Sequence, residues 1–259
     1  RAYTSAATLL AEADAVCVAA PTMDHFLLAR TAVAQGAHVF LDWPLTTSLS
    51  EAEQLAQFAE EAGVEIGVAR PLPVTGLLAA RPDGWRPRLA TMTLVGSGHD
   101  ATQDGADLPW PQRIAGLVGL ALALAGSADV QRLDAEADRG AGARLHAVVF
   151  SLRFRNGTLV HAHLREGTPA PEDAFRLDAS GQGLRVSARA LRGPLIIESQ
   201  DSASLSDAGP RAMPSRTSAD TQELTAFIEA IAAGQQAPVS ILDGLRTMRL
   251  VEQVMERLR

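Results

Sequence analysis

A chain of 259 residues can bury one large core or two modest ones, and 47% hydrophobic with 20% charged content is ordinary for a globular protein. The formal charge of −7, the pI near 5.4 and scattered arginines argue against nucleic acid held by the chain's own surface, which needs a concentrated basic face. A single cysteine, Cys17, excludes an intrachain disulfide and fits a reducing cytoplasm. The longest apolar run, Ile114 to Gly126, is shorter than the roughly 20 residues that cross a bilayer, so it reads as a buried helix with no membrane role.

The opening residue is Arg1, which suggests a piece of a longer gene product, and Thr8–Ala11 reads as a short helix. Ala15–Ala20 is a continuous apolar run, as in a parallel strand covered on both faces, and Pro21 stops it. Asp24 to Gln35 carries Phe26, Leu27, Ala29, Val33 and Ala34 at helical spacing, with Gly36 placed to end it. His38–Leu41 repeats the strand pattern and is stopped by Asp42-Trp43-Pro44. Ser48-Leu49-Ser50-Glu51 is a capping box, followed by a helix with Leu55, Ala56, Phe58, Ala59 and Ala62 inward until Gly63. Val64–Val68 returns as a strand. Two strand–helix units and a closing strand form half of a doubly wound sheet, with the Pro21–His25 and Asp42–Leu45 turns on one edge. Cys17, mid-strand, is expected in the core.

Beyond a Pro- and Arg-rich crossing at 71–87, with a short helix at Val74–Ala80, the period changes. Arg88–Val95, Arg144–Arg155, Thr158–Arg165, Ala174–Ala179, Leu184–Ala188 and Leu195–Glu198 read as strands of a mainly antiparallel sheet, and Asn156-Gly157 is a two-residue hairpin signal. Asp220-Thr221-Gln222-Glu223 and Ser240-Ile241-Leu242-Asp243 cap two closing helices. The fold class is α/β: a partial Rossmann-type parallel sheet at 1–72, then an α+β lobe with an open-faced sheet and C-terminal helices at 73–259.

Ala19-Ala20-Pro21-Thr22-Met23-Asp24-His25, an A-x-P-x-x-x-H ending to a strand, followed one unit later by Asp42-Trp43-Pro44, resembles the Gfo/Idh/MocA (glucose–fructose oxidoreductase / inositol dehydrogenase) family. That family has E-K-P at the second position. Its lysine contacts substrate and cofactor and assists proton transfer, whereas Trp43 offers one weakly acidic N–H, and the chain contains no lysine at all. An aromatic residue there resembles the biliverdin reductases and an E-W-P group with a later T-T-L-V-G-S-G strand, compared with Thr91-Met92-Thr93-Leu94-Val95-Gly96-Ser97-Gly98 here.

The resemblance implies NAD or NADP as cofactor, a sugar-like or polyol ligand, and homo-oligomers through the open sheet face. It also implies a G-x-G-x-x-G phosphate loop ahead of the first visible strand, which the sequence does not contain; Gly140-Ala141-Gly142 lacks the strand and helix that such a loop joins. The helix Ile114–Gly126 lacks the aspartate–histidine pair that the family carries there. Three functions stay open: a non-catalytic or weakly active oxidoreductase homologue, an active reductase of the biliverdin-reductase kind once a phosphate loop is supplied, and a regulatory binding protein.

The cofactor-edge candidates are Pro21, Thr22, His25, Asp42, Trp43 and Pro44. His25 would hydrogen-bond a ribose or nicotinamide amide, or else be a partly exposed helix-start histidine. Pro21 and Thr22 would line the same pocket through backbone and hydroxyl. Asp42 would be a carboxylate beside the cofactor or a loop cap, and Trp43 would stack on a ring or pack in the core, with Trp43–Pro44 a candidate cis bond. Arg70, the polar residue just after the last sheet strand, reads as a solvated or ion-paired residue rather than as a ligand contact. His161 and His163, two apart on a strand, share a face, but no third ligand accompanies them.

Overall fold

The computed structural model describes residues 2–10, 12–70, 78, 83–96, 109–126, 128–140, 144–167, 174–189, 194–199, 211–212 and 216–259. The helix expected at Val74–Ala80 lies outside the described residues apart from residue 78. The chain divides into two compact units, Arg1–Pro71 with Asp220–Arg249, and Leu72–Ala219 with Leu250–Arg259.

The first unit opens with α1 (Ala6–Leu10), then alternates β1 (Ala15–Val18), α2 (Thr22–Ala34), β2 (His38–Leu41), α3 (Leu49–Ala62) and β3 (Ile66–Val68). The strands pair in parallel in the order β1-β2-β3, with Val18 opposite Leu41 and Leu41 opposite Val68. Strand alternation splits the sheet's side chains between two faces. Val16, Val18, Val39, Leu41, Ile66 and Val68 meet Ala29, Ala32 and Val33 of α2 and Ala52, Leu55 and Ala59 of α3 in one core. The α3 start is capped as its sequence requires: Ser48 Oγ accepts from Glu51 N–H, and Glu51 reaches back to Thr47 N–H and Oγ1. Gly63 ends it in the left-handed conformation, φ 66°.

On the other face Cys17, Phe40 and Gly67 stand in register across the three strands. That face is covered by α5 (Arg216–Ala232), whose Phe227 ring lies against Phe40 at 5.5 Å between centroids and over Gly67. Val68 N–H donates to Val239 O, and Ser240 bridges Gly67. Residues 220–249 thus belong with the first sheet, which corrects the assignment of all of 73–259 to the second lobe. The physical reason is that a parallel sheet with helices on one face leaves an apolar second face, and Phe40 must be buried by something. The cover stops short of Cys17, which is exposed rather than in the core. Helix α5 also starts at Arg216, so Asp220 lies inside it and does not cap it.

The second unit is an eight-stranded sheet, β4 (Leu89–Gly96), β5 (Val130–Arg139), β6 (Leu145–Phe154), β7 (Leu159–Glu166), β8 (Phe175–Gly181), β9 (Leu184–Arg189), β10 (Pro194–Ser199) and β11 (Arg211–Ala212), in the order β11-β10-β9-β8-β4-β7-β6-β5. All pairs are antiparallel except β4 with β7. Helix α4 (Trp110–Ala125) is buried along most of its length. The Asn156-Gly157 turn joins β6 and β7, with Gly157 at φ 89° and Asn156 Oδ1 accepting from Thr158 N–H. Strand β5 escaped the sequence reading because it is polar, VQRLDAEADR, and occupies the sheet edge with only Leu133 buried. The last helix, α6 (Ile241–Arg257), starts on the expected box: Ser240 N–H donates to Asp243 Oδ2, and Ser240 Oγ accepts from Asp243 N–H.

Candidate functional site

The parallel pairing puts the ends of β1 and β2 at one edge of the sheet. Asp42 N–H donates to Val18 O and Ala69 N–H to Leu41 O, so the ladder continues past the strands to the two turns. The first turn carries Pro21 and Thr22, the second Asp42, Trp43 and Pro44. Pro21 precedes α2 without supplying any side-chain cap, and Thr22 opens the helix half-buried. The Trp43–Pro44 bond is cis.

His25 joins the two turns. Its Nδ1 lies 2.8 Å from Pro44 O and its Nε2 2.8 Å from Ala20 O, in a ring only 1% exposed. Both nitrogens are committed to backbone, so the side chain faces inward and holds the rim rather than forming it. The signal was in the sequence: His25, Ala29, Ala32 and Val33 fall at i, i+4, i+7 and i+8, and these are the buried residues of α2, while Leu27 is exposed.

Asp42 is exposed and its Oδ1 accepts from Trp43 N–H, which caps the turn. Its carboxylate also acts on Cys17: burial first, and then the Asp42 charge, push the thiol above its ordinary value. Trp43 packs partly against the helix-side core, and its Nε1 is buried with no hydrogen-bond partner among the described residues. An orphaned indole N–H on this edge fits a ligand acceptor or a bound water. Neither strand-to-helix turn of the parallel sheet contains a glycine, and Gly140 closes the β5–β6 connection, donating to Arg144 O. No described residue of this edge builds a glycine-rich cradle for phosphates.

Other predicted positions fall elsewhere. Arg70 donates from its backbone N–H and Nη1 to Glu223 of α5, at 3.0 and 2.9 Å, an ion pair that ties α5 to the end of β3. In the second unit His161 Nδ1 lies 2.7 Å from Ser151 Oγ, and no group of three metal-ligating side chains occurs among the described residues. Sequence reasoning passed over a charged cluster there. Arg144 bonds Glu166 at 3.0 Å, and this bond, with smaller contributions from the His146 and Arg113 charges, holds the Glu166 carboxyl below its usual range. Arg113, in the first turn of α4, is buried with its guanidinium over Trp110 at 5.4 Å from the ring centre. Its signal was an arginine inside the most apolar helix of the chain.

A parallel strand–helix sheet with two turns gathered at its carboxyl edge, followed by an open mixed sheet, defines a Rossmann-type architecture with a second, sheet-based unit. Residues 1–70 match the family GFO_IDH_MocA, described as an oxidoreductase family with an NAD-binding Rossmann fold. The family match is confined to this parallel-sheet segment. It is 37% identical over 68 residues to a UDP-N-acetylglucosamine 3-dehydrogenase of Acidithiobacillus ferrooxidans, a stretch covering 26% of this chain and 22% of that protein. A solved structure of UDP-N-acetylglucosamine 3-dehydrogenase from the same organism superposes with a TM-score of 0.81 at 23% identity, covering 100% of this chain and 82% of the other. An oxidoreductase of Agrobacterium radiobacter, in complex with NAD+, L-tartaric acid and magnesium, gives 0.77 at 20% identity, covering 98% and 81%. The biliverdin reductase of Synechocystis, in complex with biliverdin and NADP+, gives 0.71 at 17%, covering 99% and 82%. At such identities these likenesses show the fold.

Proposed function

We propose that this chain is a Gfo/Idh/MocA-type homologue of the NAD(P)-dependent sugar and polyol dehydrogenases whose proton-transfer machinery has been replaced, leaving a weakly active or non-catalytic protein. The observation that carries this reading is Trp43. It occupies the turn after β2 in a chain without lysine, and its only polar side-chain atom is buried. An indole N–H donates a hydrogen bond but does not release its proton in the working pH range. A nicotinamide cofactor would supply the hydride. Of this chain's own residues, Pro21, Thr22, Asp42, Trp43 and Pro44 would line its reactive end: Thr22 and Trp43 as donors, Asp42 as a carboxylate at the rim.

The likeness to a UDP-N-acetylglucosamine 3-dehydrogenase supports a sugar-type ligand. The lone cysteine, which leaves no intrachain disulfide to form, supports a cytoplasmic setting. Among the described residues no helix is long and apolar enough to cross a membrane. We also assign the open face of the eight-stranded sheet to pairing of two copies. The likeness to biliverdin reductase favours a second reading, an active reductase whose substrate takes its proton from solvent or an arginine.

Isothermal titration with NAD(H) and NADP(H), run beside a dehydrogenase screen on nucleotide sugars, free sugars and polyols, tests the proposal. Weak or absent turnover is expected. Robust oxidation of any of these substrates overturns it, and robust biliverdin-type reduction selects the second reading.

A further inference from the structure

We propose that two copies of the chain pair through the open face of the eight-stranded sheet about a two-fold axis running along the strands between β4 and β7, so that Glu136 of each copy meets the partner's Arg189. This orientation rests on the assignment of that face to pairing of two copies. Residues opposite each other in register share one face of a sheet. One row runs Glu136, Val149, His163, Thr93, Arg176, Arg189 across β5, β6, β7, β4, β8 and β9. The next runs Asp134, Ser151, His161, Thr91, Asp178, Ser187 over the same strands. None of these side chains is buried, whereas Phe150, Ala162, Met92, Leu177 and Ala188, which alternate with them, are.

The two borders of this face differ in charge. The β5 border carries Asp134, Glu136 and Asp138, with Asp134 held by Arg132 at 2.7 Å. The β8–β9 border carries Arg176, Arg185 and Arg189, with Arg176 and Arg185 held by Asp178 at 2.7 and 3.3 Å. Glu136 and Arg189 stand at opposite ends of one row and form no ion pair among the described residues. Arg153 and Arg165 lie outside the two rows. An axis that brings two sheets face to face lies in the plane between them. Running across the strands, it would set each strand over its own copy, Glu136 against Glu136 and Arg189 against Arg189. Running along them, it reverses the strand order over the partner, so β5 covers β9, β6 covers β8 and β4 covers β7. Only the second choice gives both borders opposite charges, in two equivalent Glu136–Arg189 pairs. It also lays the exposed Leu89 of β4 over the partner's Leu159, its register neighbour on β7. Facing sheets stand about 10 Å apart, a gap that a glutamate and an arginine reaching from opposite sides can close.

Charge reversal tests the orientation on the whole chain. Glu136→Arg and Arg189→Glu each turn both pairs into like-charge contacts, and each should weaken the dimer by about tenfold in sedimentation velocity over a concentration series. Mixed in equal amounts, with one carrying a mass tag, the two variants should form heterodimers well above the statistical half in native mass spectrometry, because both pairs are then opposite in charge. The double variant should regain the wild-type affinity. Heterodimers at or below the statistical fraction, or a double variant no tighter than the single ones, overturn the orientation while the pairing stands. A wild-type chain that stays monomeric at every concentration overturns the pairing itself. Should a variant not fold, sodium chloride replaces it: the wild-type dimer should weaken as salt rises, and a salt-independent dimer overturns the charge-set orientation.

Discussion

Single side chains at the carboxyl edge of the parallel sheet act on each other more than their sequence neighbours suggest. Cys17 looks like a core residue in a run of six apolar or small residues, yet it lies on the part of the α5-covered sheet face that the helix leaves open. Its thiol is held neutral by partial burial and by the Asp42 carboxylate, which stands at the end of the neighbouring strand. Removing that negative charge favours the thiolate. Asp42→Asn should therefore speed alkylation of Cys17 by iodoacetamide at fixed pH, by less than roughly tenfold, because a tenfold gain in thiolate would require the loss of about 1.4 kcal/mol of repulsion and the carboxylate is only the smaller of the two causes. An unchanged or slower rate would show that the carboxylate does not reach the thiol. His25 teaches the complementary lesson. Its position in the buried stripe of α2 was legible from spacing, whereas its two carbonyl partners, from turns 19 and 5 residues away, were not.

At the level of elements, the fit of α5 onto the sheet rests on one absent side chain. A Cβ at Gly67 would come within 2.5 Å of the Phe227 ring, which is itself held against Phe40. Gly67→Ala should therefore cost roughly 1–3 kcal/mol through overpacking. Phe227→Ala should cost about 3–5 kcal/mol through the cavity it leaves. The double variant should cost less than the sum, because the alanine methyl then enters space the ring has vacated. Urea denaturation followed by circular dichroism measures all three, and strict additivity would contradict the packing described. The helices and most strands were readable from period and caps, since amphipathic stripes and Ser–Glu or Ser–Asp boxes are local features. Strand β5 was not, because an edge strand with one buried residue carries almost no hydrophobic alternation.

For the molecule as a whole, the division of labour differs from the order of the chain. The C-terminal segment 220–249 crosses back to complete the first unit, so Arg70 and Glu223, far apart in sequence, close one ion pair. The proposed pairing of copies through the open sheet predicts a native mass of about twice the 27.3 kDa chain. An arginine-to-glutamate change on that face, Arg176→Glu, should shift the population toward monomer. A protein that stays monomeric at all concentrations would remove the assignment.

Local order was settled by residue types alone: parallel strands from unbroken apolar runs, the hairpin from Asn156-Gly157, the starts of α3 and α6 from their Ser48 and Ser240 caps, and an indole rather than an ammonium at the second turn from a composition without lysine. These depend on interactions within a few residues. The tertiary structure decided what covers each face and which groups meet. It buried His25 between two carbonyls, left Cys17 open, orphaned the Trp43 indole nitrogen and brought α5 back onto the first sheet. Burial and hydrogen-bond partnership belong to surfaces built from distant parts of the chain, and no local pattern encodes which distant part arrives.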